Sequence, residues 1–482
     1  MSGKQSHLTL GVLASTRKPD ERRLPIHPLH FERIAPELRQ RIILEQGYGE
    51  RFGVSDDHLG TLVGKMATKE SLLAEADVVL LPKPQPEDLA ELRDGQILWG
   101  WPHCVQDRAI TQLAIDKKLT LIAFEAMNHW ASDGGFGLHV FHKNNELAGY
   151  CSVLHALSLT GSTGDYGRRL SAVVIGFGAT ARGAVTALNA HGIHDVQVLT
   201  NRGVAAVGAP IHSVNIVQFD HDDKAPFLSQ VITERGRVPL APFLAESDIV
   251  VNCTLQDPNN PLTYLRTEDL SAFSPGSLVV DVSCDEGMGF SWARSTTFAE
   301  PMFTIGDHIN YYAVDHSPSY LWNSSSWEIS QALLPFLETV IGGPAEWDGD
   351  ETISRAIEIR EGVVLNKDVL EFQRREAEYP PLPPSAGPRG PSPGAPAGPR
   401  AWATRVPGRR GPGWSWPSTT GGVESGGQRY GPARWTSCAS LSPTMRAEKL
   451  STRRWRPGPC YSCSPMAGAP ARRTARRPHP AQ

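Results

Sequence analysis

Arg22 and Arg23 in "DERRLP", Lys83 in "LLPKPQ" and His103 in "GWPHC" are polar residues in apolar surroundings, each beside or just after a segment that reads as a strand. Taken singly they have ordinary structural roles: a salt-bridged arginine, a solvated lysine, a histidine satisfied by core hydrogen bonds. As a set they are chemically coherent for a 2-oxo acid. Arginine can hold a carboxylate in a bidentate pair, lysine can polarise a carbonyl oxygen, and histidine can exchange a proton near neutral pH.

A second constellation lies in "AVVIGFGATARGAVTALNAHGIHDVQVLTNR", Ala172 to Arg202. Gly176, Gly178 and Ala181 give GxGxxA between an apolar strand and a helix. The first glycine permits a tight turn, the second lets the backbone approach a pyrophosphate, and a small third residue lets helix and strand pack closely. The phosphates would meet free N–H groups at the helix start. Sites for NAD end the next strand in an acid that binds the ribose 2'-hydroxyl. Here Thr200, Asn201 and Arg202 stand there. They can donate hydrogen bonds and charge to a 2'-phosphate, so NADPH is expected over NADH.

The elements that must position these residues alternate. Strands are expected at "HLTLGVLAST", "RIILEQG", "DVVLLPK", "QILWGW" and "TLIAFE", with helices at "KESLLAEA" and "AITQLAIDKKL" between them. That alternation predicts a mostly parallel α/β sheet. The segment "ELAGYCSVLHALSL" predicts a long helix capped by Asn144 or Asn145, with Leu147, Tyr150, Cys151, Leu154 and Leu157 on one face, bridging two domains. A second α/β unit follows, with strands at "SAVVIGFG", "DVQVLT", "SDIVVNCT", "GSLVVDVS" and "FTIGD". From "SWEISQALLPFLETVIGG" to "REGVVLNKDVLEFQRRE" the pattern reads as helical, and these helices are expected to pack on the first unit. The organisation expected is a substrate domain over residues 1–143 and 310–379, interrupted by a Rossmann-type dinucleotide-binding domain over 144–309.

The 482 residues are two compositions joined near Tyr379. From Pro380 onward 16 Lys plus Arg stand against 2 acids, whereas residues 1–379 carry 31 against 49. The tail has 20 Pro, 14 Gly and 15 Arg but no Ile or Phe, so it cannot bury a core and disorder is expected over 380–482. Its five Trp and its basic charge would suit a nucleic-acid arm. The abrupt change to residues of GC-rich codons instead suggests a shifted reading frame, and no specific nucleic-acid partner is expected. Seven cysteines with no disulfide-framework spacing suit a reducing, cytoplasmic compartment. No signal-peptide core or membrane span is expected, and no motif asks for a metal.

At this point the chain resembles a known family. Residues 8 to about 378 are similar to the alanine dehydrogenase and pyridine nucleotide transhydrogenase family, and within it to the N5-(carboxyethyl)ornithine synthase type. The segments that carry the resemblance are "ERRLPIHP", "EQGYGERFGVSDD", "LRDGQILWGWPHC", "NNELAGYCSVLHAL", "VVIGFGATARGA", "VVDVSCDEG" and "YYAVDHSPSYLWN". The resemblance implies that Arg23 and Lys83 contact substrate carboxylate and carbonyl, that His103 is the catalytic histidine and that Asp285 is the acid near the nicotinamide. It also implies cofactor contacts at Asn252 and His316, and a homo-oligomer. Two departures stand out. Alanine dehydrogenases usually end the second Rossmann strand in Asp, which is missing here. Their Asn-Met-Pro-Gly segment is replaced by Asp315, His316, Ser317 and Pro318. The context "WPHC" is also similar to saccharopine dehydrogenase. The expected activity is reduction of an imine formed from a 2-oxo acid such as pyruvate and an ornithine-like amino acid. The alternatives are alanine dehydrogenase, with ammonia as amine, and a dinucleotide-binding protein without turnover.

Overall fold

The computed structural model describes residues 7–201, 211, 214–222, 225–256, 261–306 and 308–375. Arg202 and the segment 380–482 lie outside the described residues. The first sheet takes β1 (Leu10–Val12), β2 (Ile42–Glu45), β3 (Lys65–Ala67), β4 (Val78–Leu80), β5 (Ile97–Gly100) and β6 (Thr120–Ala123), all parallel. After β6 comes a short antiparallel hairpin, β7 (Asn128–Trp130) and β8 (Phe136–His139).

The second sheet is built around β9 (Ser171–Ile175) and β10 (Asp195–Thr200), with β11 (Asn215–Asp222), β12 (Ala225–Thr233) and β13 (Gly236–Pro239) on one side. On the other side of β9 lies β14 (Ile249–Asn252). β15 (Thr263–Leu265) and β17 (Gly289–Phe290) pair apart from it, while β16 (Leu278–Asp281), β18 (Met302–Ile305) and β19 (Ile309–Tyr312) complete it in the order β13-β12-β11-β10-β9-β14-β16-β19-β18. The chain then returns to the first sheet through β20 (Ile357–Arg360) and β21 (Val363–Val364), giving the order β21-β20-β6-β5-β4-β1-β2-β3. One α/β sheet thus interrupts the other in sequence, as expected.

Several local expectations are corrected. The segment after residue 350 is not wholly helical: β20 and β21 run antiparallel at the edge of the first sheet, where a short apolar run finds an open strand to pair with. The hairpin β11–β12 and strand β13 extend the second sheet where no strand was expected. β19 belongs to this sheet too, so its pairing runs past residue 309. The long helix is His142–Thr160, so Asn144 and Asn145 lie inside its first turn instead of capping it. It is buried on more than one face, with Asn144, Gly149, Ser152 and His155 covered as well as Cys151 and Leu157.

Burial explains the layering. In β4, Val78 and Leu80 join one core with Leu10, Trp99 and Ile122, and Val79 joins another with Leu72, Leu98 and Leu121. Both faces of the sheet are covered, as parallel sheets require. Ile329, Leu333, Val340 and Ile341 from the late helices fill the first core, as the sequence indicated. In the second sheet Val174, Val251 and Val280 face one core, and Val173, Val250 and Val279 the other. The helix His142–Thr160 crosses Ala179–Ala190 through two glycines. A Cβ at Gly149 would stand 1.9 Å from Thr180 O, and one at Gly183 would stand 1.7 Å from Glu146 O. Glycine at both positions lets the bridging helix lie directly on the Rossmann helix.

Candidate active site

Lys83 and His103 follow neighbouring parallel strands, and main-chain pairing continues past the strand ends. Leu81 N donates to Trp99 O at 3.0 Å and Trp101 N donates to Pro82 O at 2.8 Å. This extension delivers both side chains to one edge of the sheet, with Lys83 Nζ 2.9 Å from His103 Nε2. His103 itself has φ +49°, a left-handed conformation rare outside glycine. Its carbonyl accepts from Gln106 N and Asp107 N, and its N–H donates to Glu125 Oε1 at 2.6 Å. The turn is therefore held from both sides.

Electrostatics lower the proton affinity of both groups. Burial lowers the Lys83 ammonium below its ordinary value; Arg23 and Lys18 push the same way, and Asp315 and Glu21 oppose them. The His103 imidazole is depressed further, first by burial and then by Lys83. The side chain still leaves 42% of its surface open, so the imidazole is reachable. Two adjacent bases of this kind can hold one proton between them.

Arg23 is buried, but its fork is already filled. Nε and Nη2 donate to Glu21 at 2.8 and 2.5 Å, and Nη1 donates to Asn144 Oδ1 at 3.3 Å. Ser319 Oγ donates to Glu21 Oε1 at 2.6 Å. Burial opposes ionisation of Glu21, yet the Arg23 charge and these hydrogen bonds bring its carboxyl down to about 2. A bidentate pair of the kind expected with a substrate is made inside the protein, with Glu21, and that carboxylate matches the charge of Arg23. The guanidinium also lies 5.4 Å from the Trp101 ring centroid.

Asp315 joins this group from the end of β19. Lys18 Nζ donates to Asp315 Oδ2 at 2.6 Å, and His316 Nδ1 lies 2.5 Å from Asp315 Oδ1. Burial would raise the Asp315 carboxyl, but the His316 hydrogen bond and the Lys83 charge hold it well below the usual carboxylate range. His316 is buried and its Nε2 has no partner. Asp285 feels the Lys83 charge, yet burial dominates and raises its carboxyl.

The crevice of the second sheet is shaped by backbone. Gly176 has φ +113°, and a Cβ there would approach Cys253 O to 2.9 Å. At Gly178 an added Cβ would meet nothing within 4 Å, so the start of helix Ala179–Ala190 stands open, and no side chain caps it. Ala181 is fully buried against β9 and β14 residues. These features fit a dinucleotide pyrophosphate: a turn only glycine can make, a cradle that side chains would fill, and unclaimed N–H groups. Thr200 is buried and Asn201 exposed at the end of β10. Asn252 is fully buried; its amide donates to Asp281 Oδ1 at 2.9 Å and accepts from Thr254 Oγ1 at 2.7 Å. The bond to Asp281 ties the ends of β14 and β16 together.

Known proteins share this two-domain fold. The family model described as "Alanine dehydrogenase/PNT, N-terminal domain" matches residues 11–148, and that for the C-terminal domain matches 168–367. The chain belongs to the alanine dehydrogenase/PNT family. Among curated members, N(5)-(carboxyethyl)ornithine synthase of Clostridium botulinum is 25% identical over 67% of this chain and 92% of its own length. Alanine dehydrogenase of Mycobacterium tuberculosis is 24% identical over 75% of this chain and 96% of its own. In fold, a solved L-alanine dehydrogenase superposes with TM-score 0.61 at 16% identity, covering 76% of this chain and 99% of that one. A transhydrogenase from Sinorhizobium meliloti gives 0.56 at 18%, covering 74% and 100%. As a member of the alanine dehydrogenase/PNT family, this chain is an NAD(P)-dependent oxidoreductase acting on CH–NH2 or CH–NH groups. Among the described residues, no helix is long and apolar enough to cross a membrane.

Alongside the predicted residues, the structure brings together groups that sequence reading passed over: Lys18, Glu21, Glu125 and Ser319. Glu125 had a usable signal, since it closes the apolar run "TLIAFE" at the carboxyl end of a parallel strand, where open α/β sheets place their sites. Glu21 stands two residues before Arg23 and could have been read as its counter-ion. Lys18 and Ser319 carried no such signal.

Proposed function

We propose that this family member reduces an imine formed between a 2-oxo acid such as pyruvate and an ornithine-like amino acid, using NADPH in preference to NADH. The observation that carries this reading is the Lys83–His103 pair at 2.9 Å, set among Arg23, Asp315 and Asp285 at the carboxyl edge of two sheets. Forming an imine from an amine and a carbonyl expels water, so a proton must reach the departing oxygen and another must leave nitrogen. Lys83, as ammonium, orients the 2-oxo oxygen and can protonate it. His103, depressed and neutral, takes the proton from nitrogen, and their contact lets one proton serve both. Asp285, with its carboxyl raised, is a second proton-holding group on the other sheet. Arg23 would meet the substrate carboxylate by yielding part of its pairing with Glu21.

Gly176, Gly178 and Ala181 would hold the dinucleotide's pyrophosphate, and Thr200, Asn201 and Arg202 its ribose phosphate. The bound dinucleotide supplies the hydride. An acid at the end of β10 would repel a 2'-phosphate; none stands at Thr200 or Asn201. The likeness to alanine dehydrogenases, at nearly the same identity, supports ammonia as a second reading of the amine.

Oxidation of NADPH with pyruvate plus ornithine, compared with pyruvate plus ammonium, separates the two, and product mass identifies the amine. Turnover is expected with the amino acid. Turnover with ammonium alone makes the protein an alanine dehydrogenase, and binding without oxidation across a panel of amines and oxo acids makes it a non-catalytic binder. Arg202→Ala is expected to weaken NADPH by about 1 to 3 kcal/mol and leave NADH nearly unchanged. Equal losses for both cofactors would remove the 2'-phosphate argument.

A further inference from the structure

The segments that follow β1 and β2 form a cleft that the mechanism above does not use. It has a volume of about 420 Å³ and is lined by Ala14, Leu24, Gly47, Tyr48, Glu50 and Arg51. That is the size of a small-molecule site. In the first sheet β1 lies between β2 and β4, so these segments leave the same carboxyl edge that carries Lys83. Three links tie the cleft to the proposed reaction site. Leu24 directly follows Arg23. Thr16, two residues after Ala14, donates its hydroxyl to Lys83 O at 2.5 Å. Arg51 Nη1 donates at 2.9 Å to Arg22 O, on the main chain just before Arg23.

The cleft is lined by two opposite charges that do not pair with each other. Glu50 and Arg51 open the short turn Glu50–Phe52, and both are exposed. The Glu50 carboxyl lies over Gly47, where an added Cβ would stand 3.6 Å from its Cδ and Oε1. Gly47 is itself fixed, with φ +79° and its N–H donated to the Asp56 carboxylate at 2.8 and 3.0 Å. The Arg51 guanidinium is held by Arg22 O and lies 5.8 Å from the Trp322 ring centroid. Among the described residues neither Glu50 nor Arg51 forms an ion pair. The Tyr48 hydroxyl is already spent on Ile26 N and Ile26 O, so polar recognition in the cleft falls to these two charges.

A free acid beside a free base suits a zwitterion, whose ammonium and carboxylate stand on one carbon. When an ornithine-like amino acid forms the imine through its side-chain nitrogen, its α-ammonium and α-carboxylate remain free and need a place of their own. We propose that Glu50 and Arg51 are the subsite for this α-amino-acid head, Glu50 accepting from the ammonium and Arg51 donating to the carboxylate, with Ala14 and Leu24 along the methylenes between it and Lys83. Ammonia would leave the cleft empty. The subsite therefore selects the amine, and it rests on the imine-forming reading above.

Equilibrium binding tests it without turnover. L-Ornithine is titrated calorimetrically into the full chain with NADP+ and pyruvate present, so that no reduction can follow. Two shortened ligands separate the contacts: 1,4-diaminobutane lacks the carboxylate, and 5-aminopentanoate lacks the α-amino group. Wild type is expected to prefer ornithine to each by about tenfold or more, as a hydrogen bond to a charged group allows. Arg51→Gln should lose the preference over 1,4-diaminobutane and keep that over 5-aminopentanoate; Glu50→Gln should do the reverse. Arg51→Lys, which keeps the charge, should restore part of the first preference. A wild type that does not bind ornithine, a preference that survives its matching substitution, or the loss of both preferences in one variant overturns the proposal. Ornithine binding with these selective losses, but no oxidation of NADPH with pyruvate and ornithine, would overturn only the proposed function.

Discussion

At the edge of the first sheet the groups that matter are side chains: Lys83 against His103, Arg23 against Glu21 and Asn144, and Asp315, brought over from β19, against Lys18. At the edge of the second they are main-chain atoms: the Gly176 turn, the open helix start after Gly178, and strand ends tied together by Asp281. That carboxylate accepts from Asn252 Nδ2 at 2.9 Å, Tyr311 OH at 2.7 Å and Cys284 N at 3.1 Å. The first edge tunes proton affinity, which needs charges held out of water. The second makes a shape, which needs residues without side chains and a fully bonded scaffold. The two should therefore fail differently when altered.

The largest effect is expected at the first edge. His103→Asn should cost about 10² to 10⁴ in turnover while leaving the melting temperature nearly unchanged, because asparagine tolerates the left-handed backbone found at this position. Turnover by NADPH oxidation, read beside a thermal melt, checks this. An unfolded variant would return His103 to a core role and blur the contrast.

At the second edge two neighbouring glycines should separate shape from stability. Gly176→Ala forces φ +113° on a residue with a Cβ and drives it toward Cys253 O, so about 1 to 3 kcal/mol of stability should be lost. Gly178→Ala meets nothing in the protein, and its φ of −80° is open to any residue, so its melt should not fall. Its NADPH affinity should nonetheless drop about tenfold, about 1.4 kcal/mol, because the methyl would stand in the cradle. Parallel losses of stability in both variants would deny the cradle.

The remaining effect concerns pH. Asp281 is raised by burial from its ordinary 3.8 to about 6, against the hydrogen bonds that oppose the shift. The folded state then binds more protons than the unfolded chain between those values, so this group's contribution to stability falls as pH rises through that window. Asp281→Asn should flatten the dependence of unfolding free energy on pH from about 4 to about 6, by at most about 3 kcal/mol. Chemical denaturation at several pH values gives the slope. An unchanged slope would mean that the pH response belongs to the first edge.

Much of the second edge was legible because it is local. GxGxxA, the apolar strand before it and the small Ala181 act within a few residues of one another, and sterics alone make the turn. The alternation of strands and helices likewise announced two α/β units, since hydrophobic period and strand length are properties of the chain itself. Less was legible at the first edge. Arg23, Lys83 and His103 were recognisable as a chemical set, but not that Arg23 would spend its fork on Glu21, or that Ser319, 298 residues away, would join it. Asn252 read as a cofactor contact, but its bond to Asp281, 29 residues away, was not legible. Glu358 carried no signal within a segment read as helical; only the pairing of β20 beside β6 set it in the first sheet. The sequence by itself determined backbone geometry wherever a few adjacent residues suffice to fix it. The tertiary structure alone decided which charges meet and how far each is removed from water, because desolvation and ion pairing depend on neighbours that folding brings from distant parts of the chain.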